Sequence, residues 1–345
     1  MVSDEKLFLI KRNLQEILSE EILTEKPKNE KIKIYWGTAP TGRIHVAYYV
    51  PLLKIRDFLI AGCDVKILLA DIHAMLDNLK SKFEVVGFRT QYYENCIKAM
   101  LANIGVDSEN SSFGKIIFIK GSDFQTSSKY VMDLYKLSSI TTERDGKKAG
   151  TEVVKQVSNP LLSSLIYPLM QALDEEYLDV DAQFGGVDQR KIFTFAMKYL
   201  PQLGFKKRAH LMNPMIPGLN SEKMSSSDKY SKIDMLETKE NIEKNIRKCF
   251  CEEGNKETGL LYLIRHIIYP IFEIKNLKVE IFIKSLNKKN FYEKYQELEN
   301  DFVEKIIHPQ DLKKSVAEMV EIIVGPVRKE MEEFQELIQN AYGSE

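Results

Sequence analysis

The chain has 345 residues, 44% of them hydrophobic and 29% charged, with 49 Lys plus Arg against 50 Asp plus Glu. This length allows two domains and a sizeable core, and the balanced charge excludes a global basic field, so any contact with nucleic acid has to come from local patches. The first 21 residues mix acids, bases and leucines unlike a signal or transit peptide, and no apolar run approaches the ~18 residues that span a bilayer, so a cytoplasmic location with no membrane partner is expected.

In chain order, residues 32–36 read as a short buried strand and 37–43 as a turn rich in Gly, Pro and Thr. An apolar-periodic helix is predicted over 45–61, stopping at Gly62. A strand over 65–70, a long helix over 84–103 and a strand over 115–120 follow. Strand alternating with helix in this way predicts an α/β fold with a doubly wound parallel sheet. Residues 127–159 read as a helical, polar insertion between two halves of the sheet. The second half has a helix over 161–177, a strand over 180–184 and a helix after Asp188. Residues 213–227 form a proline-rich loop. From about residue 238 onward the pattern is amphipathic helix without α/β alternation, so a domain boundary is expected near Asp234.

Four groups of residues carry chemistry. The first is the turn from Thr38 through Gly42 and His45 to Tyr48. It lies between a strand and a helix, where backbone N–H groups and the helix dipole favour phosphate. Taken alone, a structural turn explains it equally well. The second is Lys223-Met224-Ser225-Ser226-Ser227, whose cation and hydroxyls can follow a phosphate as its charge redistributes. Taken alone, a solvated Ser-rich loop explains it better. The third is Gly185-Gly186-Val187-Asp188-Gln189-Arg190-Lys191, where paired glycines allow close approach to the backbone and an Asp beyond a strand end suits ribose hydroxyls. A tight strand-to-helix turn is the competing reading.

The fourth group is Tyr167, Gln171 and Asp174, at i, i+4 and i+7. They fall on one side of a helix whose other residues, such as Leu169, Met170 and Leu173, are apolar. A polar stripe on a buried helix needs partners, and a binding surface is as good a reading as a solvent-facing one. Pro168 softens the angles of this helix.

Together these motifs resemble the class I aminoacyl-tRNA synthetases, and within them the tyrosyl-tRNA synthetases of the eukaryotic and archaeal type. Thr41 to Tyr48 is similar to their HIGH signature and Lys223 to Ser227 to their KMSKS loop. Tyr35-Trp36-Gly37, Ala70-Asp71-Ile72-His73-Ala74, Gln171-Ala172-Leu173-Asp174 and Gly185 to Lys191 carry the rest, and the resemblance spans residues 7–329. It implies a Rossmann-like catalytic domain over 1–234, with a dimer-forming insertion near 127–159, and a helical anticodon-binding domain over 235–345.

The resemblance also implies roles. Tyr35 and Asp174 would bond the phenol of L-tyrosine, while Tyr167, Gln171 and Gln189 hold its amino group. Gly37, Gly42, Ala47, Gly186, Asp188 and Met224 would border ATP. His45, Lys223, Ser225 and Ser227 would stabilise the triphosphate during catalysis. Arg190 and Lys191 would face the acceptor end of tRNA(Tyr), and Asp311 the first anticodon base. ATP would enter as substrate with Mg2+, with no structural metal, and the partner would be a second copy in a homodimer.

The sequence departs from the family pattern at several places. Ala47 and Tyr48 stand where the signature has Gly and His, and Ser226 replaces the second lysine of the loop. Residues 285–288 read Ser-Leu-Asn-Lys, where relatives carry an aromatic residue and two glycines before the anticodon face. Gly87-Phe88-Arg89 replaces the vertebrate Glu-Leu-Arg cytokine motif and the appended C-terminal domain is missing, so no signalling role is expected.

Among the remaining residues, His73 reads as pocket-lining or structural, and His210, His266 and His308 as structural. Lys206-Lys207-Arg208 reads as a solvated basic patch, whereas Lys313-Lys314 gains interest from its neighbour Asp311. Cys63, Cys96, Cys249 and Cys251 lack zinc-ligand spacing and read as reduced thiols. The competing functions are a tryptophanyl-tRNA synthetase of the same fold, an adenylyltransferase without tRNA, and a catalytically inert binding relative.

Overall fold

The structure, a computed structural model, describes residues 4–27, 30–77, 81–107, 114–154, 161–219 and 232–343. A six-stranded sheet lies at its centre. The strands are β1 (Glu16–Leu18), β2 (Lys33–Thr38), β3 (Asp64–Leu69), β4 (Ile116–Lys120), β5 (Ala182–Gly186) and β6 (Ala209–Asn213). Their order is β1-β6-β5-β2-β3-β4. Strands β2 to β6 run parallel, and β1 pairs antiparallel with β6, Glu16 opposite Met212.

Ile34, Tyr35 and Trp36 on β2 are all buried, as are Ile67, Leu68 and Leu69 on β3. Runs of this kind suit strands covered on both faces. From β2 the chain adds β3 and β4 on one side and β5 and β6 on the other. The carboxyl ends of β2 and β5 therefore bound a crevice at the switch point, the place where open α/β sheets bind ligands. This is a Rossmann-like α/β fold. Strands β1 and β6 were not anticipated from the sequence.

The helix expected from His45 begins later. Val46–Tyr48 is a 3-10 turn and the α-helix runs Tyr49–Ile60. His45 stays extended at φ −128°. It forms a β-bridge with Asp234, flanked by Val46 N–H donating to Ile233 O (2.8 Å) and Met235 N–H donating to Ile44 O (3.0 Å). The helix stops before Gly62, whose φ of +82° lies in the region that favours glycine. The helix over Ser163–Tyr177 is continuous through Pro168.

Beyond Asp234 the expectation of helix throughout is corrected. Strands β7 (Val279–Ile283) and β8 (Lys288–Tyr292) form an antiparallel hairpin. Val279, Ile281 and Ile283 are buried and alternate with half-exposed Glu280 and Phe282, a period-two pattern hidden between helices. Asn287 closes the turn in the left-handed region at φ 46°. The last long helix runs Pro309–Glu330 and packs on the helix Phe83–Asn103, where Asn103 Nδ2 donates to Ile323 O at 2.9 Å. One apolar core joins Ile34 and Val65 of the sheet to Ile246, Ile267 and Val320 of the later helices. No helix of the described residues is long and apolar enough to cross a membrane. All four cysteines are free thiols.

Candidate active site

Two cavities open at the carboxyl ends of β2 and β5. The first, about 240 Å³, is lined by Tyr35, Trp36, Gly37 and Thr38 from β2 and by Phe184, Gly185 and Gly186 from β5. Tyr167, Gln171 and Asp174 enter it from the helix Ser163–Tyr177, and His73, Gln183 and Gln189 complete it. The polar stripe therefore faces a cavity and not solvent. The second, about 250 Å³, lies beside it and is lined by His45, Ala47, Val50, Asp188, Asn213 and Met215, with Trp36, Thr38, Tyr48 and Gly186 shared.

The deep end of the first cavity is polar in an apolar setting. Asp174 is fully buried. Its Oδ1 accepts bonds from Gln125 Nε2 (2.8 Å) and the Tyr130 hydroxyl (2.7 Å), while Oδ2 has no partner among the described residues. Burial pushes this carboxyl up to about 7, against the pull of those two donors. The Tyr35 hydroxyl donates to Gln171 O at 3.2 Å, and burial next to Asp174 holds its phenol well above the ordinary tyrosine value. Gln171 Nε2 donates to Gln189 Oε1 at 3.0 Å, which joins two residues proposed for one ligand group. His73 is buried with its ring edge-on to Tyr167, and burial lowers its imidazole to about 4. Its two ring nitrogens and Gln183 Oε1 make no hydrogen bond among the described residues. Buried polar atoms without partners cost free energy unless something polar joins them, so this end of the cavity is built for a polar ligand.

His45 stands in the wall of the second cavity. Burial, with Lys232 nearby, lowers the His45 imidazole to about 3, so it enters the site as a neutral ring. A Cβ on Gly186 would stand 2.4 Å from Asp188 Oδ1 and 2.9 Å from Met215 Sδ, so glycine here lets the strand end approach this space without displacing either side chain. Gly42 is not among the described residues lining either cavity. Its carbonyl accepts from the Tyr93 (2.7 Å) and Tyr342 (3.1 Å) hydroxyls, which pin the turn from behind.

Several expected residues stand elsewhere. Arg190 Nε pairs with Glu16 at 2.8 Å and Lys191 with Glu152 at 2.8 Å, both on the surface beside the cavities. Asp311 lies on the far part of the chain, in the first turn of the helix Pro309–Glu330. Lys223, Met224, Ser225, Ser226 and Ser227 fall outside the described residues. The solvated reading of Lys206-Lys207-Arg208 is corrected at its last residue: Arg208 is buried and pairs with Glu176 at 2.6 Å. His210 is a buried partner of Glu175 at 2.7 Å, and His308 caps its helix.

Sequence reasoning missed Gln125, Tyr130 and Gln183. Tyr130 belongs to the stretch assigned to an insertion, and its helix Ser128–Ile140 turns Tyr130, Asp133 and Leu137 inward. The spacing of those three residues, i, i+3 and i+7, was the available signal.

The family profile for class I tRNA synthetases of the W and Y group matches residues 26–325. A probable cytoplasmic tyrosine–tRNA ligase of Encephalitozoon cuniculi is 55% identical over 342 residues, covering 99% of this chain and all of that one. The cytoplasmic tyrosine–tRNA ligase of Gallus gallus is 54% identical over 98% of this chain, which spans 63% of that protein's length. Among solved structures, a tyrosyl-tRNA synthetase from Archaeoglobus fulgidus complexed with L-tyrosine superposes with a TM-score of 0.84 at 34% identity, covering 95% of this chain and 99% of that one. The family profile, the whole-length identity and the superposition agree, and the chain belongs to the tyrosyl-tRNA synthetases, a family of class I aminoacyl-tRNA synthetases.

Proposed function

We propose that this chain activates L-tyrosine with ATP to tyrosyl-adenylate and pyrophosphate, then transfers tyrosine to the 3′ end of tRNA(Tyr). The observation that carries the reading is the unpartnered Oδ2 of buried Asp174 at the closed end of a cavity that also holds the Tyr35 hydroxyl. A phenol hydroxyl supplies the missing donor, and a phenyl ring would leave that oxygen unpaired at a cost of roughly 1–3 kcal/mol. Tyr167, Gln171 and Gln189 surround the nearer part of the same cavity and suit an ammonium group.

ATP is read into the second cavity, adenine over Ala47 and ribose against Gly186 and Asp188. The tyrosine carboxylate then attacks the α-phosphorus in line: one C–O–P bond forms, the bond to pyrophosphate breaks, and no side chain becomes covalently attached. Catalysis is positioning plus stabilisation of phosphate charge. His45 supplies a neutral N–H donor and the Lys223 loop a cation with the hydroxyls of Ser225 and Ser227. Among the described residues no group of three or more His, Cys, Asp or Glu side chains could hold a metal ion. Mg2+ is read as arriving on the triphosphate, whose oxygens suit that ion. The terminal ribose hydroxyl of tRNA then attacks the adenylate and AMP leaves, with Arg190 and Lys191 facing the acceptor end.

We divide the chain into a catalytic unit over 1–234 and an anticodon-binding unit over 235–345. The relatives' names place them in the cytoplasm, and we read the same compartment here. A homodimer is supported by an apolar face. Met132, Tyr135 and Ile140 on the helix Ser128–Ile140 and Ile166 on the helix it packs against all remain exposed. Replacing Met132 and Tyr135 with Glu should yield monomers in sedimentation. The decisive experiment is ATP–pyrophosphate exchange with each of the twenty amino acids. Exchange with tyrosine and not tryptophan is expected. Exchange with tryptophan alone overturns the specificity, and none at all favours an inert relative.

A further inference from the structure

A carboxylate has two equivalent oxygens, and rotation about its last bond exchanges them at little cost. A buried carboxylate that recognises one hydroxyl must present one oxygen and retire the other. At Asp174 the retired oxygen is visible. Gln125 Nε2 reaches Oδ1 at 2.8 Å and the Tyr130 hydroxyl reaches the same atom at 2.7 Å. Neither donor carries charge, so the pair orients the carboxylate without neutralising it. The Tyr130 hydroxyl has one proton and a second acceptor, Met170 O, at 3.0 Å. The shorter contact to the carboxylate takes that proton, because acceptors bearing charge bind donors more strongly.

The other oxygen is unclaimed. Oδ2 has no hydrogen-bond partner among the described residues, and His73 Nε2 stands 4.0 Å from it. The Tyr35 hydroxyl is turned to Gln171 O. Both donors come from outside the helix that carries Asp174. Gln125 ends a short turn after β4, and Tyr130 opens the helix Ser128–Ile140. Both are buried, Tyr130 completely.

We propose that Tyr130 and Gln125 are specificity-determining positioning residues: by filling both lone-pair directions of Asp174 Oδ1, they leave Oδ2 as the single acceptor offered to the phenol of the amino-acid substrate. The inference rests on the tyrosine reading above. With either donor removed, the carboxylate can turn or take up its proton, and a substrate lacking the hydroxyl no longer leaves a fixed acceptor unpaired. Discrimination then falls although Asp174 and Tyr35 are intact.

The test uses the full-length protein with the variants Tyr130→Phe and Gln125→Leu, measured by pyrophosphate exchange with tyrosine and with phenylalanine. Each variant should lower the tyrosine-to-phenylalanine ratio of kcat/KM about tenfold, chiefly through KM for tyrosine, with KM for ATP unchanged. The double variant should lose less than the product of the two, since both act through one atom. The apparent pKa in the pH profile of kcat/KM for tyrosine should move up, a readout that loosened packing alone would not shift. Thermal melting identifies a variant that fails to fold, and Gln125→Met then serves as a second substitution at the site less demanding on packing. Wild-type exchange with tyrosine together with an unmoved ratio and pH profile in a folded variant overturns this inference and leaves the proposed function standing. No wild-type exchange with tyrosine overturns both.

Discussion

Oδ2 of Asp311 accepts the backbone N–H of Lys284 at 2.9 Å. The bond ties the first turn of the helix Pro309–Glu330 to the turn between β7 and β8. The helix does not need Asp311 as its cap, because His308 holds that place and its Nδ1 accepts from Gln310 N–H at 3.2 Å. One carboxylate oxygen is therefore structural and the other remains for a ligand. The Watson–Crick edge of guanine offers two donors, and the reading of Asp311 as an anticodon contact asks that remaining oxygen, with part of the first, to meet them.

This arrangement separates anchoring from recognition. Asp311→Asn keeps an acceptor for Lys284 and should preserve thermal stability, whereas Asp311→Ala should lose about 1 kcal/mol. Both should lower tRNA charging by roughly 1–3 kcal/mol in kcat/KM, with pyrophosphate exchange normal. The loss should shrink for a tRNA whose first anticodon base has been changed. Equal losses for both tRNAs would remove Asp311 from the recognition site.

Asp174 makes stability depend on pH in an unusual direction. Its folded value of about 7 lies above the ordinary carboxylate range near pH 4, so between those limits the native state holds a proton that the unfolded chain has released. The contribution to stability is full below that window and is lost as pH rises through about 7. Asp174→Asn removes the titration. The variant's melting temperature should therefore gain on the wild type from pH 4 to 7 and hold a constant difference above about 8. A difference independent of pH would show that the carboxyl ionises normally.

The His45 ring is uncharged at neutral pH. With its imidazole lowered to about 3, no ionisation of this residue falls between pH 5 and 9. Adenylate formation in His45→Asn, which retains a neutral N–H, should exceed that in His45→Ala. The Ala variant should lose roughly 3–4 kcal/mol of transition-state stabilisation, the scale of a missing oxyanion donor. Single-turnover rates across that pH range check both points, and a step near pH 6.5 that vanishes on substitution would contradict them.

Gly186→Ala puts a methyl group against Asp188 Oδ1 and Met215 Sδ. Both are side-chain atoms that can shift, so folding should survive. The shift would displace Asp188 from the wall of the second cavity. KM for ATP should rise several-fold while tyrosine binding, measured by fluorescence titration, stays near the wild-type value. A loss confined to tyrosine would place the nucleotide elsewhere.

The parallel core was legible because β2, β3 and β4 are short apolar runs separated by periodic helices and ended by glycine. The stripe Tyr167, Gln171, Asp174 was legible as a surface, and its partners were not. Gln125 and Tyr130 meet Asp174 from 49 and 44 residues away in the chain, and no local pattern records such a contact. Strand β1 has three residues, too few to show a period, and in β6 the polar His210 and Asn213 break the apolar run. Strand β7 alternates in burial but β8, Lys-Lys-Asn-Phe-Tyr, does not, and the helices on both sides of the hairpin masked the change of period. Arg208 looked like part of a charged patch because its burial depends on Glu176 and the Val180 carbonyl, 32 and 28 residues away.

Strand β1 pairs only with β6, at the outer edge of the sheet. Roughly 200 residues separate the two, so on the ribosome the first strand emerges about 10–40 s before its partner exists, at ordinary rates of synthesis. The parallel strands β2, β3 and β4 are complete long before that moment. Strand β1 is thus the first strand made and the last of the sheet to find its partner, and the edge of β6 stays open until it returns. A tag or fusion that delays that return therefore bears on yield and solubility, even though it lies outside the chemistry of either cavity.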